Sequence, residues 1–140
     1  QAANGALEPS DRDALNTEYQ QLKSEITRIS EATNYNRKVL LDGTFSENGL
    51  RFQVGPQAVD GYEMTLSDMT ASGLDLTDSN VSTVEDALSS IGSLDDAMSA
   101  KDNERTKLGS FVVRLQHTVN NLQLSRENAT GPFNIPSRII

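Results

Sequence analysis

Leu15, Tyr19, Leu22, Ile26 and Ile29 recur at alternating steps of four and three, the 3.5-residue period of a helix that packs along a seam. Arg12, Glu18, Gln21, Lys23, Glu25 and Arg28 occupy the rest of its circumference. Ser10 offers an N-terminal cap with the Asp13 carboxylate three residues on, and Pro9 stands just outside. A helix over about 10–34 follows, and its one-sided pattern demands a partner helix.

That partner is predicted at about 84–128. Val84, Leu88, Ile91, Leu94, Met98, Leu108, Val112, Leu115, Val119 and Leu122 fall on one seam, with Ser82 or Thr83 as cap and Glu85 or Asp86 completing a capping box. From Val84 to Leu122 such a helix would extend about 58 Å at 1.5 Å per residue. Lys101 and Arg105 interrupt the apolar seam, and their stems are expected to lie along the neighbouring helix while the charged heads reach water.

Between the helices the period changes to two. Leu50, Phe52 and Val54 alternate with polar residues, as do Tyr62, Met64 and Leu66, so a hairpin is predicted at about 50–67, with Gly55-Pro56 and Asp60-Gly61 in its wide loop. Asp42-Gly43 reads as a turn admitting positive φ. Residues 73–83 are rich in Ser, Thr, Asp and Asn without an apolar period and are expected to be a connector. Gly131-Pro132 and Pro136 stop any helix, giving a non-helical tail over 131–140. The fold class expected is mainly α: an elongated antiparallel helical bundle or coiled-coil rod with a small β-hairpin attached.

Composition narrows the function. Hydrophobic residues make up 36% of the 140, with four Phe, three Tyr and no Trp, so the core must come from aliphatic side chains. A net charge of -8 and the lack of any basic run exclude nucleic acid and anionic membranes as partners. From Asp42 to Asn80 seven acids face the single base Arg51, the signature of a solvated face. With no cysteine there is neither a disulfide nor a thiol site. Gln1-Ala2-Ala3-Asn4-Gly5 carries no signal-peptide pattern and resembles an excised boundary.

No catalytic arrangement emerges. His117 is alone, no Ser sits in a nucleophile elbow, and there is no phosphate loop. The acidic run Asp75 to Asn80 lacks the glycine and the terminal glutamate of a calcium loop. No cofactor, metal or enzymatic activity is expected. The two sequons at Asn80 and Asn128 are too short a motif to predict glycosylation.

Several motifs in order resemble bacterial flagellins. They are Gln1-Ala2-Ala3-Asn4-Gly5, Ile29-Ser30-Glu31-Ala32-Thr33-Asn34-Tyr35-Asn36, Leu40-Leu41-Asp42-Gly43 and Gln53-Val54-Gly55. On the second helix the likeness lies in Leu108-Gly109-Ser110, Arg114-Leu115, His117-Thr118 and Val119-Asn120-Asn121-Leu122. It spans Gln1 to about Thr130. The resemblance implies a D1-type rod domain over 1–130, a structural subunit of the secreted, extracellular flagellar filament, and other flagellin subunits as partners. It also implies a core fragment lacking the terminal helices and unable to polymerise alone. A hook-filament junction protein and a flagellin-like surface adhesin are the alternatives. The adhesin would need clustered aromatics, and Tyr35, Phe45, Phe52 and Tyr62 are scattered along the chain.

The family is also sensed by a Toll-like receptor through its rod surface. Carried over by motif, the matching receptor or subunit contacts are Gln1, Glu18, Leu94, Met98, Leu108 and Arg114. Val112-Val113 depart from the family pattern, which has Gln-Asn there, and so remove two hydrogen-bonding side chains.

Overall fold

The computed structural model describes residues 1–130 apart from Pro56, Ala58 and Val59, so the tail expected at 131–140 lies outside the described residues. Its element order is α1 (Pro9–Ala32), β1 (Asn34–Tyr35), β2 (Lys38–Val39), β3 (Leu50–Gln53), β4 (Gly61–Met64) and α2 (Val84–Thr130). The chain is thus mainly helical, with two small antiparallel strand pairs. It divides into two compact units, Gln1–Arg105 and Thr106–Ile140, which are described separately.

In the first unit α1 starts one step earlier than its expected cap. Glu8 is the N-cap, in extended backbone with no side-chain bond, and Pro9 follows inside the helix. Ser10 therefore caps nothing. The physical reason is proline itself: it forces the preceding residue into extended geometry, fixes a helical φ, and lacks the amide that a cap would satisfy. At α2 the expected box forms with Thr83, whose hydroxyl accepts the Asp86 amide at 3.0 Å and donates to the Asp86 carboxylate at 2.8 Å.

β3 and β4 pair with Leu50 opposite Met64 and Gln53 opposite Gly61, and the Val54 amide donates to the Asp60 carbonyl at 2.8 Å. The short hairpin β1–β2 was not foreseen. Tyr35 faces Lys38, leaving Asn36 and Arg37 as a two-residue loop, both at positive φ (50° and 64°). Hairpins of this length require that twist, for which glycine is the usual sequence signal, and Arg37 conceals it. Gly43 does adopt the positive φ expected of it, 85°.

The stretch 65–82, which takes in most of the connector expected at 73–83, carries neither helix nor strand and supplies the core. Leu66, Ala71 and Leu76 are buried, Leu76 to 1% exposure, and Ile26, Leu74, Leu94 and Ala97 pack around Ala71 and Leu76. Its backbone is anchored at both ends: the Leu66 amide donates to the Phe45 carbonyl, Met69 to Leu41, and the Ser90 hydroxyl donates to the Asn80 carbonyl at 2.7 Å.

The continuous seam expected between the helices is corrected accordingly. Leu22 is 57% exposed, and Ile29, Leu88, Ile91 and Met98 are exposed as well. The buried positions of α1 are Arg12, Lys23 and Ser30. A non-repetitive backbone laid along a helix brings unpaired amides and carbonyls, and those groups must find hydrogen bonds. Polar side chains on α1 meet that need, while Leu22 and Ile29 of its apolar stripe face outward.

In the second unit α2 continues through Thr106 to Thr130. Phe111 is buried and Leu108 and Leu115 half-buried. Val112, Val113, Val119, Leu122 and Leu124 are exposed, so the apolar stripe expected to be a seam faces outward here too.

Candidate packing and recognition surface

α1 carries two parallel heptad stripes, one residue apart. The apolar one is Leu15, Tyr19, Leu22, Ile26, Ile29; the polar one is Asn16, Gln20, Lys23, Thr27, Ser30. A one-residue offset is about 100° around a helix, so the two stripes meet different neighbours.

The polar stripe reads the backbone of 69–81 residue by residue. Asn16 Oδ1 accepts the Val81 amide at 3.0 Å and Gln20 Nε2 donates to the Ser79 carbonyl at 3.2 Å. Lys23 Nζ donates to the carbonyls of Thr77 (2.7 Å) and Ser79 (2.8 Å). Thr27 Oγ1 accepts the Ala71 amide at 3.2 Å, and Ser30 Oγ donates to the Met69 carbonyl at 2.6 Å. Tyr19 joins through its hydroxyl, 2.8 Å from Ser79 Oγ, and its ring lies 5.7 Å from the Lys23 ammonium. Burial pushes the Lys23 pKa below its ordinary value, and the Asp78 carboxylate opposes that shift. From α2, the buried Glu104 accepts the Ser67 hydroxyl at 2.8 Å and the Ser67 amide at 3.4 Å. Sequence reasoning missed these residues because it scored apolar periodicity only; the signal was the polar heptad beside it.

The apolar stripe borders an open groove of about 340 Å³. Ile26 and Ile29 from α1, Leu74 and Leu76 from the intervening stretch, and Leu94 and Met98 from α2 line it. Lys101 stands at this groove too, exposed, with its ammonium 3.1 Å from the Asp102 carboxylate. A second pocket, about 230 Å³, lies between the amino-terminal residues and α1, lined by Gln1, Leu15, Glu18, Leu22 and Val81. The amino-terminal turn is held there by Arg12, whose guanidinium donates to the carbonyls of Ala2 and Asn4.

Of the six contacts carried over by motif, the four in the first unit fall into two pairs. Gln1 and Glu18 share the second pocket, and Leu94 and Met98 share the groove. Leu94 is half-buried against the core, whereas Met98 is exposed. In the second unit, Leu108 is half-buried and Arg114 exposed on α2. His117 is exposed on the same helix. Among the described residues no three His, Cys, Asp or Glu side chains gather where a metal ion could sit, and no helix is long and apolar enough to cross a membrane.

Outward-facing apolar stripes beside an open groove define a structural packing module. Comparison with known proteins gives the class its family. Residues 1–46 match the bacterial flagellin N-terminal helical region. A Bacillus subtilis protein designated a candidate flagellin, YvzB, is 36% identical over 112 residues, covering 79% of this chain and 69% of that protein. Flagellin of Halalkalibacterium halodurans is 34% identical over 130 residues, 91% of this chain and 47% of that protein. The crystal structure of Bacillus cereus flagellin superposes with a TM-score of 0.71 at 33% identity, covering 94% of this chain and 76% of that one. The chain belongs to the flagellin family, whose members are structural and not enzymatic. It spans about half the length of several of these relatives, including the flagellins of H. halodurans and B. subtilis.

Proposed function

We propose that this chain is the D1-type part, residues 1–130, of a subunit of the extracellular bacterial flagellar filament, and that its partners are other flagellin subunits. The observation that carries this reading is the pair of exposed apolar stripes, Leu22 and Ile29 on α1 and Leu88, Ile91 and Met98 on α2, of which Ile29 and Met98 line the groove. Exposed apolar surface repeated at heptad spacing is stabilised by covering it with another helix. A helical bundle or coiled coil would then be completed in the assembled filament. The chain by itself stays monomeric or weakly associated.

Sedimentation velocity across a wide concentration range tests the last statement, and long ordered polymers of the chain alone would overturn it. The filament reading is tested by adding the chain to Bacillus subtilis flagellin growing on filament seeds. Incorporation or slowed elongation is expected, and Leu22→Glu should abolish it. Unchanged elongation with no association would sink the assignment.

Recognition by a Toll-like receptor through Gln1, Glu18, Leu94, Met98, Leu108 and Arg114 is the second part of the proposal. It is supported by the outward position of Gln1, Glu18, Met98 and Arg114. Reporter-cell activation by the chain, compared with its Arg114→Ala variant, decides it; equal responses would remove Arg114 from the surface.

A further inference from the structure

We propose that Asn48 is a site of spontaneous covalent modification, at which the side-chain amide is lost and the main chain becomes joined to Gly49 through the side chain. Asn-Gly occurs twice in the chain, at Asn4-Gly5 and at Asn48-Gly49. Asparagine is a thermolabile residue, and a following glycine has no Cβ to shield the main-chain nitrogen that attacks it.

The reaction balances with water alone. The Gly49 nitrogen attacks the Asn48 Cγ, a C–N bond forms, and Nδ2 leaves as ammonia with the proton that the Gly49 nitrogen gives up. The product is a cyclic imide. Water then opens it at one of its two carbonyl carbons. Cleavage of the bond to Cγ leaves aspartate on an unchanged main chain. Cleavage of the bond to the Asn48 main-chain carbonyl carbon leaves isoaspartate, whose main chain runs through Cβ and Cγ and is one methylene longer. Nothing is oxidised or reduced.

The fold separates the two sites. Ring closure needs the asparagine side chain to swing onto the next nitrogen and the rigid peptide plane to turn with it. Asn4 is held against both movements: its Oδ1 accepts the Ala6 amide at 3.1 Å, its own amide donates to the Gln1 carbonyl at 2.9 Å, and its carbonyl accepts the Leu7 amide at 3.4 Å and the Arg12 guanidinium at 3.2 Å. Asn48 is exposed, and among the described residues neither its side chain nor the Gly49 amide makes a hydrogen bond. The same dipeptide is clamped in one place and free in the other.

The position of Asn48 gives the modification a structural effect. β3 begins at Leu50, opposite Met64. Immediately before it, Gly49 runs so close to β4 that a Cβ would lie 2.7 Å from Glu63 Cγ and 3.0 Å from the Met64 carbonyl oxygen. An added methylene between residues 48 and 49 finds no slack there, so it disturbs the pairing at that end of the hairpin. The new carboxylate also stands next to Glu47, in a stretch already rich in acids. The same close approach rules out Gly49→Ala as a clean test.

Ageing the 140-residue chain in warm, mildly alkaline buffer tests the proposal, because trypsin cleavage after Arg12, Lys38 and Arg51 leaves Asn4 and Asn48 each as the sole asparagine of its own peptide. Mass spectrometry should find the exchange of amide for acid about two- to tenfold faster at Asn48 than at Asn4, the factor that one hydrogen bond is worth, with isoaspartate as well as aspartate at position 48. In strong urea the two rates should agree. Asn48→Gln, whose longer side chain must close a larger ring, should stay unmodified while the NMR resonances of α1 and α2 keep their places. The aged chain should shift the Leu50 and Met64 resonances further than Asn48→Asp does, since only the aged chain carries the extra methylene. Equal rates at Asn4 and Asn48 in the folded chain, or a difference that persists in urea, would overturn the role given to the fold. Aspartate without isoaspartate would overturn the imide route, and equal shifts in the aged and Asn48→Asp chains would overturn the effect on the hairpin.

Discussion

The Lys23 ammonium donates to the Thr77 carbonyl at 2.7 Å across 54 positions of chain, and to the Ser79 carbonyl at 2.8 Å. This charged side chain holds a non-repetitive segment against a helix at the point where the segment enters the core at Leu76. Lys23→Met keeps the length and apolar stem of the residue but leaves the Thr77 carbonyl without this donor. A loss of about 1.5 to 3 kcal/mol is expected, the range for a hydrogen bond to a charged group. Chemical denaturation measures it, and an unchanged midpoint would mean that the segment is held by packing alone.

The same residue gives a pH dependence whose sign is fixed. Burial lowers the Lys23 pKa in the folded chain below the ordinary value of 10.5, despite the opposing Asp78 charge. Between the lowered folded value and 10.5 the unfolded chain binds more protons, so this residue's contribution to stability rises with pH across that window. Below the window the contribution is constant. Tyrosines and the remaining lysines titrate nearby, so the quantity to measure is the stability of the chain minus that of Lys23→Gln, from pH 8 to 11. A difference that falls with rising pH would contradict the burial of Lys23.

The sequence disclosed elements wherever one kind of periodicity dominated. Both helices, β3, β4, the Thr83–Asp86 cap and the Gly43 turn were legible because each rests on local patterning or on a residue type that only one backbone shape favours. Two things were not. The β1–β2 turn was concealed because Asn36-Arg37 lacks the glycine that marks such turns. The core role of 65–82 was concealed because single buried residues, Leu66, Ala71 and Leu76, follow no repeat; the backbone around Ala71 and Leu76 is met by the polar stripe of α1, and that of Leu66 by the Phe45 carbonyl. Apolar periodicity on α1 and α2 was read correctly as a pattern but assigned to a seam within the chain. The structure turns much of it outward, and only Ile26 and Leu94 are drawn to the core cluster.

Leu22 and Leu76 separate these two roles. Leu22→Ala is expected to change stability by less than about 0.5 kcal/mol, as for surface positions, because more than half of the residue is already in water. Leu76→Ala removes a fully buried side chain and should cost about 2 to 5 kcal/mol. Urea titration of the two variants checks both values. A cost for Leu22 near that for Leu76 would show that the apolar stripe is covered in solution, and its dependence on concentration would show whether another copy covers it.

Gly73 tests the tight path of the same segment. A Cβ at this position would lie 2.6 Å from the Asp68 carbonyl oxygen, a backbone atom that cannot swing aside. The Asp68 carboxylate meanwhile accepts the Thr70 amide at 2.8 Å, which fixes the turn. Gly73→Ala should therefore cost about 1 to 3 kcal/mol through backbone displacement, the usual penalty for overpacking. Gly92→Ala is the matched control: nothing lies within 4 Å of a Cβ there, and the residue is inside α2. That substitution should stabilise by about 0.5 to 1 kcal/mol, from helix propensity and a less flexible unfolded chain. If both substitutions moved stability in the same direction, the close approach at Asp68 would not be real.

Val112 and Val113 lie in the second unit, 60% and 55% exposed. Replacing them by Gln and Asn, the residues of the family pattern, exchanges exposed β-branched side chains for amides at little cost in propensity, because valine and asparagine rank together and glutamine ranks higher. Stability should move by less than about 0.5 kcal/mol. Receptor recognition should respond more strongly. If the proposed contact surface around Arg114 is correct, two amides next to it restore hydrogen-bonding capacity, and each good bond is worth about 0.5 to 1.5 kcal/mol, a gain of up to about tenfold per bond. The pair of chains differing only at positions 112 and 113 isolates this effect, since the helix and its exposure are shared. Higher affinity for the Gln-Asn chain, with equal unfolding midpoints, is the expected result. Equal affinities would show that the amides do not contribute, and the surface assigned to Arg114 would have to move to another face of α2.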